Sequence, residues 1–155
     1  LSSEDVPLLH EWFAHVVAWW GEPPSLAEVE AEYVDSEVLH PYLAYSDARP
    51  IGFIQLYTVK SGDPDWWPDE TDPGARGTDQ FLADPADLGT GLGTRMLRAF
   101  VDHVFEDPAV TKIQTDPSPD NGRAIRCYEK VGFRRVAEVV TPDGPALLMV
   151  IHRAR

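Results

Sequence analysis

The sequence feature that most constrains the fold is a run of alternating glycines, Gly89, Gly91 and Gly93, placed directly before an amphipathic segment. The apolar residues of that segment recur at the spacing of one buried helix face, and they are Leu92, Met96, Leu97, Phe100, Val101, Val104 and Phe105. Glycines allow tight turns and leave N–H groups uncovered, while the start of a helix attracts negative charge. The run therefore predicts a helix that begins at a binding site for an anionic cofactor. A simple glycine-rich helix entry is the alternative.

The glycine spacing excludes the two best-known phosphate loops. A Walker loop has Lys and then Ser or Thr after its last glycine, whereas Gly93 is followed by Thr94 and Arg95. A dinucleotide-binding fingerprint has the spacing G-x-G-x-x-G, but this run reads G-x-G-x-G. The ligand of the site must therefore be identified from the rest of the chain.

Size and charge narrow the class of protein. The chain has 155 residues, 43% of them hydrophobic, which predicts one globular domain over residues 1–155. Its formal net charge of −13 argues against nucleic acid and membranes as partners, because both bind basic surfaces. The charge favours a cationic substrate or simply a well-solvated acidic surface. No apolar run approaches the ~20 residues of a membrane span, and the lone Cys127 fits a reducing compartment, so we expect a cytoplasmic protein.

Periodicity and turn residues predict an α+β (mixed α/β) chain in the order α-α-β-β-β-α-β-α-β-β, with a central sheet that is partly antiparallel. The predicted helices lie near residues 4–17, 26–34, 92–105 and 123–131. The predicted strands span residues 42–45, 51–59, 79–83, 111–115, 133–141 and 146–152. Residues 60–77 hold three prolines, five acids and the pair Trp66 and Trp67, which predicts a long functional loop whose acids concentrate cations.

The sequence indicates neither a metal site nor cysteine chemistry. The acids near Trp66 and Trp67 lack the glycine and the small ligands of a calcium-binding EF-hand loop. The five histidines show no ligand spacing such as H-x-x-x-H. Cys127 has no obvious histidine partner, so we expect a small buried side chain there and not a nucleophile.

Two motifs, in this order along the chain, resemble the GNAT superfamily of N-acetyltransferases, which use acetyl-CoA. The first is the glycine run with Pro85 before it, and the second extends from Asn121 to Phe133 as Asn-Gly-Arg-Ala-Ile-Arg-Cys-Tyr-Glu-Lys-Val-Gly-Phe. Further runs are similar to one branch, the aminoglycoside 6'-N-acetyltransferases, at residues 19–21, 41–42, 66–67, 70–74, 76–77, 79–80, 112–119 and 141–145. The resemblance covers nearly the whole chain. It implies a GNAT-like fold, with a mixed, mostly antiparallel twisted sheet flanked by helices. The fold forms one acetyltransferase domain, whose first strand is missing or cut short before Ser2.

The resemblance also implies where acetyl-CoA binds. The implied contacts are Leu82, Ala83, Leu88, Gly89, Thr90, Gly91, Leu92, Gly93, Thr94, Asn121 and Ala124. Leu88 departs from the superfamily, which usually has Arg or Gln there, so backbone N–H groups must bind the pyrophosphate, with Arg95 or Arg98 as possible helpers. The N–H groups of Leu82 and Ala83 would polarise the thioester carbonyl.

For catalysis, the resemblance implies that Asp79 is the general base for the substrate ammonium and that Tyr128 protonates the departing CoA thiolate. A strand-end aspartate and a core tyrosine are the structural alternatives. Asp116 closes the neighbouring strand, and it either helps Asp79 hold a polycation or only forms an Asp-Pro turn. Flat apolar faces and hydrogen-bonding groups suited to an aminoglycoside are expected at Trp19, Tyr42, Gln55, Tyr57, Trp66 and Trp67.

The function implied is transfer of the acetyl group of acetyl-CoA to the 6'-amine of kanamycin- or tobramycin-type aminoglycosides, which gives antibiotic resistance. One alternative is an acetyltransferase of the same fold for polyamine or protein amines, and another is a non-catalytic acetyl-CoA or aminoglycoside-binding module. Segment 21–41 is shorter than in the branch, which leaves the preferred drug open. No metal cofactor is expected, and the chain is expected to be a monomer or weak dimer.

Overall fold

A six-stranded mixed sheet is the frame of the molecule. The computed structural model describes residues 1–16, 22–36, 38–61 and 66–154. Its strands are β1 (Leu39–Ser46), β2 (Arg49–Thr58), β3 (Ala75–Leu82), β4 (Lys112–Thr115), β5 (Arg134–Thr141) and β6 (Gly144–His152). They lie in the order β1-β2-β3-β4-β6-β5, and every neighbouring pair except β3 and β4 is antiparallel. The predicted mixed, mostly antiparallel sheet is confirmed.

Helices cover both faces of this sheet. They are α1 (Val6–Phe13), α2 (Leu26–Val29, continued by a π-helical turn over Glu30–Val34), α3 (Leu92–Val104) and α4 (Gly122–Val131). Short 3-10 turns lie at Ser3–Asp5, Val59–Ser61 and Pro85–Asp87. Within the described residues, no helix has the length and apolar character needed to cross a membrane.

Two apolar clusters hold the helices on the sheet. On one face, α3 and α4 bury Leu97 and Ile125 against the strand residues Ile113 and Met149. On the other face, α1 and α2 pack around an aromatic group that consists of Trp12, Phe13, Tyr33, Phe53 and Phe81. The sequence-based assignment of Trp12 and Phe13 to the core is therefore confirmed.

Strand β3 is longer than the sequence predicted. The strand begins at Ala75 and not at Asp79, because β2 extends far enough to pair Tyr57 with Gly77 and Thr58 with Arg76. Only Thr78 among residues 75–78 favours a strand, so the partner strand decides the structure of the segment. The connecting loop is correspondingly shorter than predicted.

The parallel pairing of β3 with β4 is short, and this shapes the region where ligands can enter. Only Ala75–Gly77 pair with Lys112–Gln114, while β3 continues to Leu82. Helix α3 follows β3 and helix α4 follows β4, so both helices begin near the carboxyl ends of these strands. In α/β arrangements the crevice beyond such strand ends is the usual ligand site.

Segment 66–74 is fixed to the start of β4 by its own acids. Lys112 Nζ lies 2.7 Å from Glu70 Oε2, and Thr111 Oγ1 donates to Asp72 Oδ2 at 2.6 Å. Asp72 Oδ1 also accepts the Gly74 N–H at 2.8 Å. Burial tends to raise the pKa of Glu70, but bonds from Lys112 and from the Asp72 N–H lower it below its ordinary value. These two acids therefore stabilise the loop, whereas the sequence had assigned all five acids to concentrating cations.

We expect Lys112→Met to lower the free energy of unfolding by about 1–3 kcal/mol, because Glu70 would remain largely buried without its counter-charge. Urea unfolding followed by tryptophan fluorescence measures the change. Lys130→Met is the matched control, since Lys130 is exposed and its loss should change stability by less than about 0.5 kcal/mol. Equal stability of the two variants would contradict the anchoring role of Lys112.

Candidate active site

Two cavities meet where β3 and β4 diverge. The first, which we call the acceptor cavity, has a volume of about 980 Å³ and lies on the side of α2 and segment 66–67. The second, the cofactor cavity, has a volume of about 550 Å³ and lies between the starts of α3 and α4. Four residues line both: Gln80, Asn121, Ala124 and Tyr128. A group transferred between ligands in the two cavities would pass these residues.

The acceptor cavity is lined by carboxylates from four separate segments. These are Glu32 from α2, Asp79 from β3, Asp116 after β4 and Asp143 from the turn between β5 and β6. No Lys or Arg is found among the described lining residues. No group of three or more metal-binding side chains occurs in the described part of the chain. The charge of this cavity suits a ligand with several positive groups.

Asp79 is held by the strand opposite it. The β2–β3 register places Gln55 directly across from Asp79, and Gln55 Nε2 donates to Asp79 Oδ2 at 3.0 Å. Gln55 is 9% exposed, and no described group bonds to its Oε1. The two predicted site residues are thus brought together.

Asp79 and Asp116 form a hydrogen-bonded carboxyl pair. Burial raises the pKa of Asp79, and the bonds from Gln55 and Asp116 offset only part of that rise. Burial, together with the adjacent Asp79, raises the pKa of Asp116 to about 8. Because two carboxylates in contact repel each other, the pair shares one proton near neutral pH.

Aromatic side chains form the wall beside the acids. Tyr57, Trp66 and Trp67 all line the acceptor cavity, as the sequence predicted. The Tyr57 ring lies over Gly77, where any Cβ would overlap the ring atoms. Burial, followed by the charge of Asp79, raises the pKa of Tyr57 well above its ordinary value, so this phenol stays neutral.

Tyr128 lies at the junction of the two cavities. It is 4% exposed, and its ring packs edge-on against Phe133 with centroids 5.3 Å apart. Burial and then the charge of Asp79 raise the pKa of Tyr128, and a side-chain bond with Thr115 opposes the rise. The side chain therefore both packs in the core and presents a protonated hydroxyl near the ligand junction.

The glycine run forms one wall of the cofactor cavity. Gly89 and Gly91 have φ values of 77° and 86°, a left-handed conformation that side chains rarely adopt. Gly91 is the N-cap of α3, and Leu92 N–H donates to Thr90 Oγ1 at 3.4 Å, so the N–H groups of Gly93 and Thr94 are those left for a ligand. Leu88 also lines this cavity and is 41% exposed. This geometry is that of an anion site built from backbone groups.

Basic residues of α4 complete this wall, and sequence reasoning missed them. Arg123, Arg126 and Lys130 line the cofactor cavity and are spaced three and four residues apart, on one helix face. The prediction had named Arg95 or Arg98 instead. Arg98, however, donates from Nη2 to the Lys130 carbonyl at 2.9 Å. The i, i+3, i+7 spacing after the Asn121 cap was the signal that could have identified the α4 residues.

Only one of the two N–H groups predicted to polarise the thioester carbonyl can reach a ligand. Ala83 N–H donates to the Ile51 carbonyl at 2.8 Å, so the sheet uses this donor. Since successive N–H groups of a strand point to opposite edges, the N–H of Leu82 points away from β2 toward the opening beside β4. Leu82 lines the cofactor cavity, whereas Ala83 lines neither cavity. The predicted pair of donors is thereby reduced to Leu82.

One predicted acceptor contact, Tyr42, is not brought to the cavity. Tyr42 packs against Phe100 of α3 with ring centroids 5.2 Å apart, because the alternation of β1 directs it to the opposite face of the sheet from Tyr57. Trp19 lies outside the described residues. Among the predicted cofactor contacts, Thr90 and Leu92 do not line the cavity, since Leu92 is buried beneath the run and Thr90 Oγ1 donates to the Asp87 carbonyl.

The remaining predicted contacts lie where the sequence placed them. Asn121 Oδ1 accepts the Ala124 N–H at 3.2 Å and caps α4, so its amide nitrogen is not used by the cap. Gly93, Thr94 and Ala124 line the cofactor cavity. Cys127 is half-buried there, with its Sγ 3.6 Å from Thr94 Oγ1.

Comparison with known proteins identifies the family. The model of the acetyltransferase (GNAT) domain matches residues 2–141. Aminoglycoside N(6')-acetyltransferase type 1 of Klebsiella pneumoniae is 50% identical over 162 residues, which covers 99% of this chain and 81% of that protein. A kanamycin resistance protein of Rhizobium radiobacter is 66% identical over 88 residues, or 57% of this chain and 82% of its own length.

A solved structure gives the same answer for the fold. The crystal structure of aminoglycoside acetyltransferase AAC(6')-Ib in complex with coenzyme A and kanamycin matches with a TM-score of 0.94 and 50% identity. The match covers 99% of this chain and 92% of that one. Fold, motif order and sequence identity agree over nearly the whole length, so the chain belongs to the acetyltransferase (GNAT) domain family.

Proposed function

We propose that the protein transfers the acetyl group of acetyl-CoA to the 6'-amine of an aminoglycoside. The observation that carries this proposal is the meeting of an acid-lined cavity with an anion-binding cavity at Tyr128 and Gln80. A polycationic acceptor suits the first cavity and an anionic donor suits the second. The names of the relatives, and the complexes solved for one of them, support the same pair of ligands.

Acetyl-CoA supplies an activated thioester, and residues of the cofactor cavity are suited to hold it. The left-handed Gly91 leaves space, since a Cβ there would meet nothing within 4 Å. N–H groups at the start of α3 would bind the pyrophosphate, and Arg123 and Arg126 offer positive charge nearby. Asn121 offers its unused amide nitrogen where the two cavities meet.

Proton transfers follow from the acids that line the junction. Ionised Asp79 would take a proton from the substrate ammonium, which frees the amine to attack the thioester carbonyl. The Leu82 N–H would stabilise the oxyanion that forms. As the C–S bond breaks, the neutral phenol of Tyr128 would protonate the thiolate, and the extra proton on the acylated nitrogen would return to the phenolate. The raised pKa of Tyr128 keeps that proton available at neutral pH.

A polyamine is the second candidate acceptor, because four carboxylates without a described basic lining residue would also suit it. The experiment that separates the two is thiol release from acetyl-CoA in the presence of kanamycin or spermidine. Release with kanamycin but not with spermidine is expected. Thiol release with spermidine alone would show that the acceptor is a polyamine. Binding of acetyl-CoA without any thiol release would indicate a non-catalytic binding module.

Asp79→Asn should reduce kcat for kanamycin by roughly 10²–10⁴-fold if Asp79 is the base. The matched control is Asp102→Asn, on the exposed surface of α3, which should retain the full rate. Both rates are measured by thiol release, with kanamycin affinity measured by calorimetry. A loss below tenfold with affinity intact would rule Asp79 out as the base.

Gly91→Val should weaken acetyl-CoA binding and spare kanamycin binding. Its effect comes from backbone strain, because the residue has a φ of 86° and no atom lies near its Cβ position. The control is Gly132→Ala, which strains the backbone at a φ of 121° but lines neither cavity. Calorimetric titration with each ligand measures the split. Unchanged acetyl-CoA binding would make the glycine run a helix entry only.

Asp116 should make stability depend on pH. Its pKa is about 8 in the folded protein but about 4 in an unfolded chain, so the folded state holds an extra proton between these values. Stability is therefore lost as the pH rises through this range. Asp116→Asn removes that loss, and its gain in Tm over the unmodified protein should be larger near pH 8 than near pH 5. Calorimetric scans measure it, and a gain independent of pH would contradict the shifted pKa.

A further inference from the structure

Gln55 is placed to control the carboxyl that faces the acceptor cavity. It is the cross-strand partner of Asp79, and its Nε2 donates to a single carboxylate oxygen at 3.0 Å. Its backbone carbonyl accepts from Thr78 Oγ1 at 2.9 Å, and its side chain is almost fully buried. The donor is therefore held by the sheet and by packing, so its direction does not depend on a bound ligand.

The two carboxyls of the pair have different neighbours. Burial raises the pKa of Asp79, but hydrogen bonds from Gln55 and from Asp116 both lower it. In Asp116, burial raises the pKa, the bonded Asp79 raises it further, and only its own backbone N–H lowers it. Asp79 receives two donors that favour its ionised form, whereas Asp116 is itself one of those donors. The two carboxyls therefore differ in how readily they ionise.

The other titratable groups around the pair do not supply this asymmetry. Asp143, from the β5–β6 turn, raises the pKa of both carboxyls, and Glu32 of α2 adds only further negative charge to the cavity. Three phenols from three elements stay neutral because burial raises the pKa of each, and they are Tyr33, Tyr57 and Tyr128. No described lining residue is Lys or Arg. Gln55 is the neutral donor that distinguishes Asp79 from Asp116.

We propose that Gln55 is a positioning residue that keeps Asp79 ionised and leaves the shared proton of the pair on Asp116. This inference rests on the proposed role of Asp79 as the base. Only the ionised carboxyl can accept a proton from the substrate ammonium. With the proton on Asp116, the pair has its base ready at neutral pH even though burial prevents both carboxyls from ionising together.

The test is the pH dependence of kcat/KM for kanamycin in Gln55→Met, which keeps the side-chain length and removes the donor. Without that bond the proton can reside on Asp79. The acidic limb of the profile, where kcat/KM falls as the pH is lowered, should therefore move to higher pH by about one unit. At a pH on that limb the rate should fall roughly tenfold and recover at higher pH, with the KM for acetyl-CoA unchanged.

Gln114→Met is the matched control. Gln114 is another glutamine buried in the sheet, 2% exposed on β4, and it lines neither cavity. Its replacement should leave the acidic limb in place, even where thermal stability falls. If the acidic limb moves equally in Gln55→Met and Gln114→Met, loss of any buried glutamine is enough to move it, and the proposal is overturned.

Asp116→Asn provides an independent readout of the same coupling. Asparagine still offers a donor to Asp79 but cannot take the negative charge, so no second site competes for ionisation. In that background Gln55→Met should still move the limb, because the bond stabilises ionised Asp79 directly. The rate just above the limb should be retained there, however, because the charge cannot pass to residue 116, whereas Gln55→Met alone should lower that rate. A limb that does not move in Gln55→Met, or equal losses of rate just above the limb in the two backgrounds, would overturn the proposal.

Failure of this inference can be told apart from failure of the proposed function. If Asp79→Asn remains active, Asp79 is not the base, and the role of Gln55 falls with it. If Asp79→Asn is inactive while the limb of Gln55→Met stays in place, only the role of Gln55 fails. Should circular dichroism show that Gln55→Met does not fold, Gln55→Glu keeps the shape of the side chain. The added carboxyl should raise the limb in the same direction, and an unmoved limb there also overturns the proposal.

Discussion

The parallel pairing between β3 and β4 ends after three residues, and the candidate site depends on that early end. Beyond Gly77 the β4-facing edge of β3 has no strand partner in the described residues, so N–H groups such as that of Leu82 are left for a ligand. The same divergence separates the starts of α3 and α4. Anion-binding helix ends and the carboxyls of Asp79 and Asp116 therefore meet in one opening, although they come from distant parts of the sequence.

The parts of the fold that were predicted from sequence are those with local causes. The start of α4 at the Asn121 cap and the buried stripe of α3 follow from side chains within a few residues of each other. The start of β3 at Ala75 could not be predicted, because β2 determines it from about twenty residues away. For the same reason the Ala83 N–H was assigned to a ligand, when Ile51 in fact accepts it.

The sequence predicted the residue types of the site better than it predicted the face of the sheet on which each side chain lies. Tyr42 and Tyr57 are both tyrosines in strands, and composition could not separate them. Alternation along the paired strands places Tyr57 in the acceptor cavity and Tyr42 against α3. The register that decides between these faces depends on strand ends, which are the least certain part of a sequence-based assignment.

Acidic residues of the loop before β3 and of the acceptor cavity show how environment separates structural from functional carboxylates. Glu70 and Asp72 have lowered pKa values, because Lys112, Thr111 and backbone N–H groups stabilise their charge. Asp79 and Asp116 have raised pKa values, because burial outweighs the few donors that reach them. A carboxylate already satisfied within the protein gains little from a cationic ligand, whereas an incompletely satisfied one gains much. Asp79 and Asp116, in the acceptor cavity, are therefore the acids whose burial is least compensated, and an ammonium substrate beside them would relieve that cost.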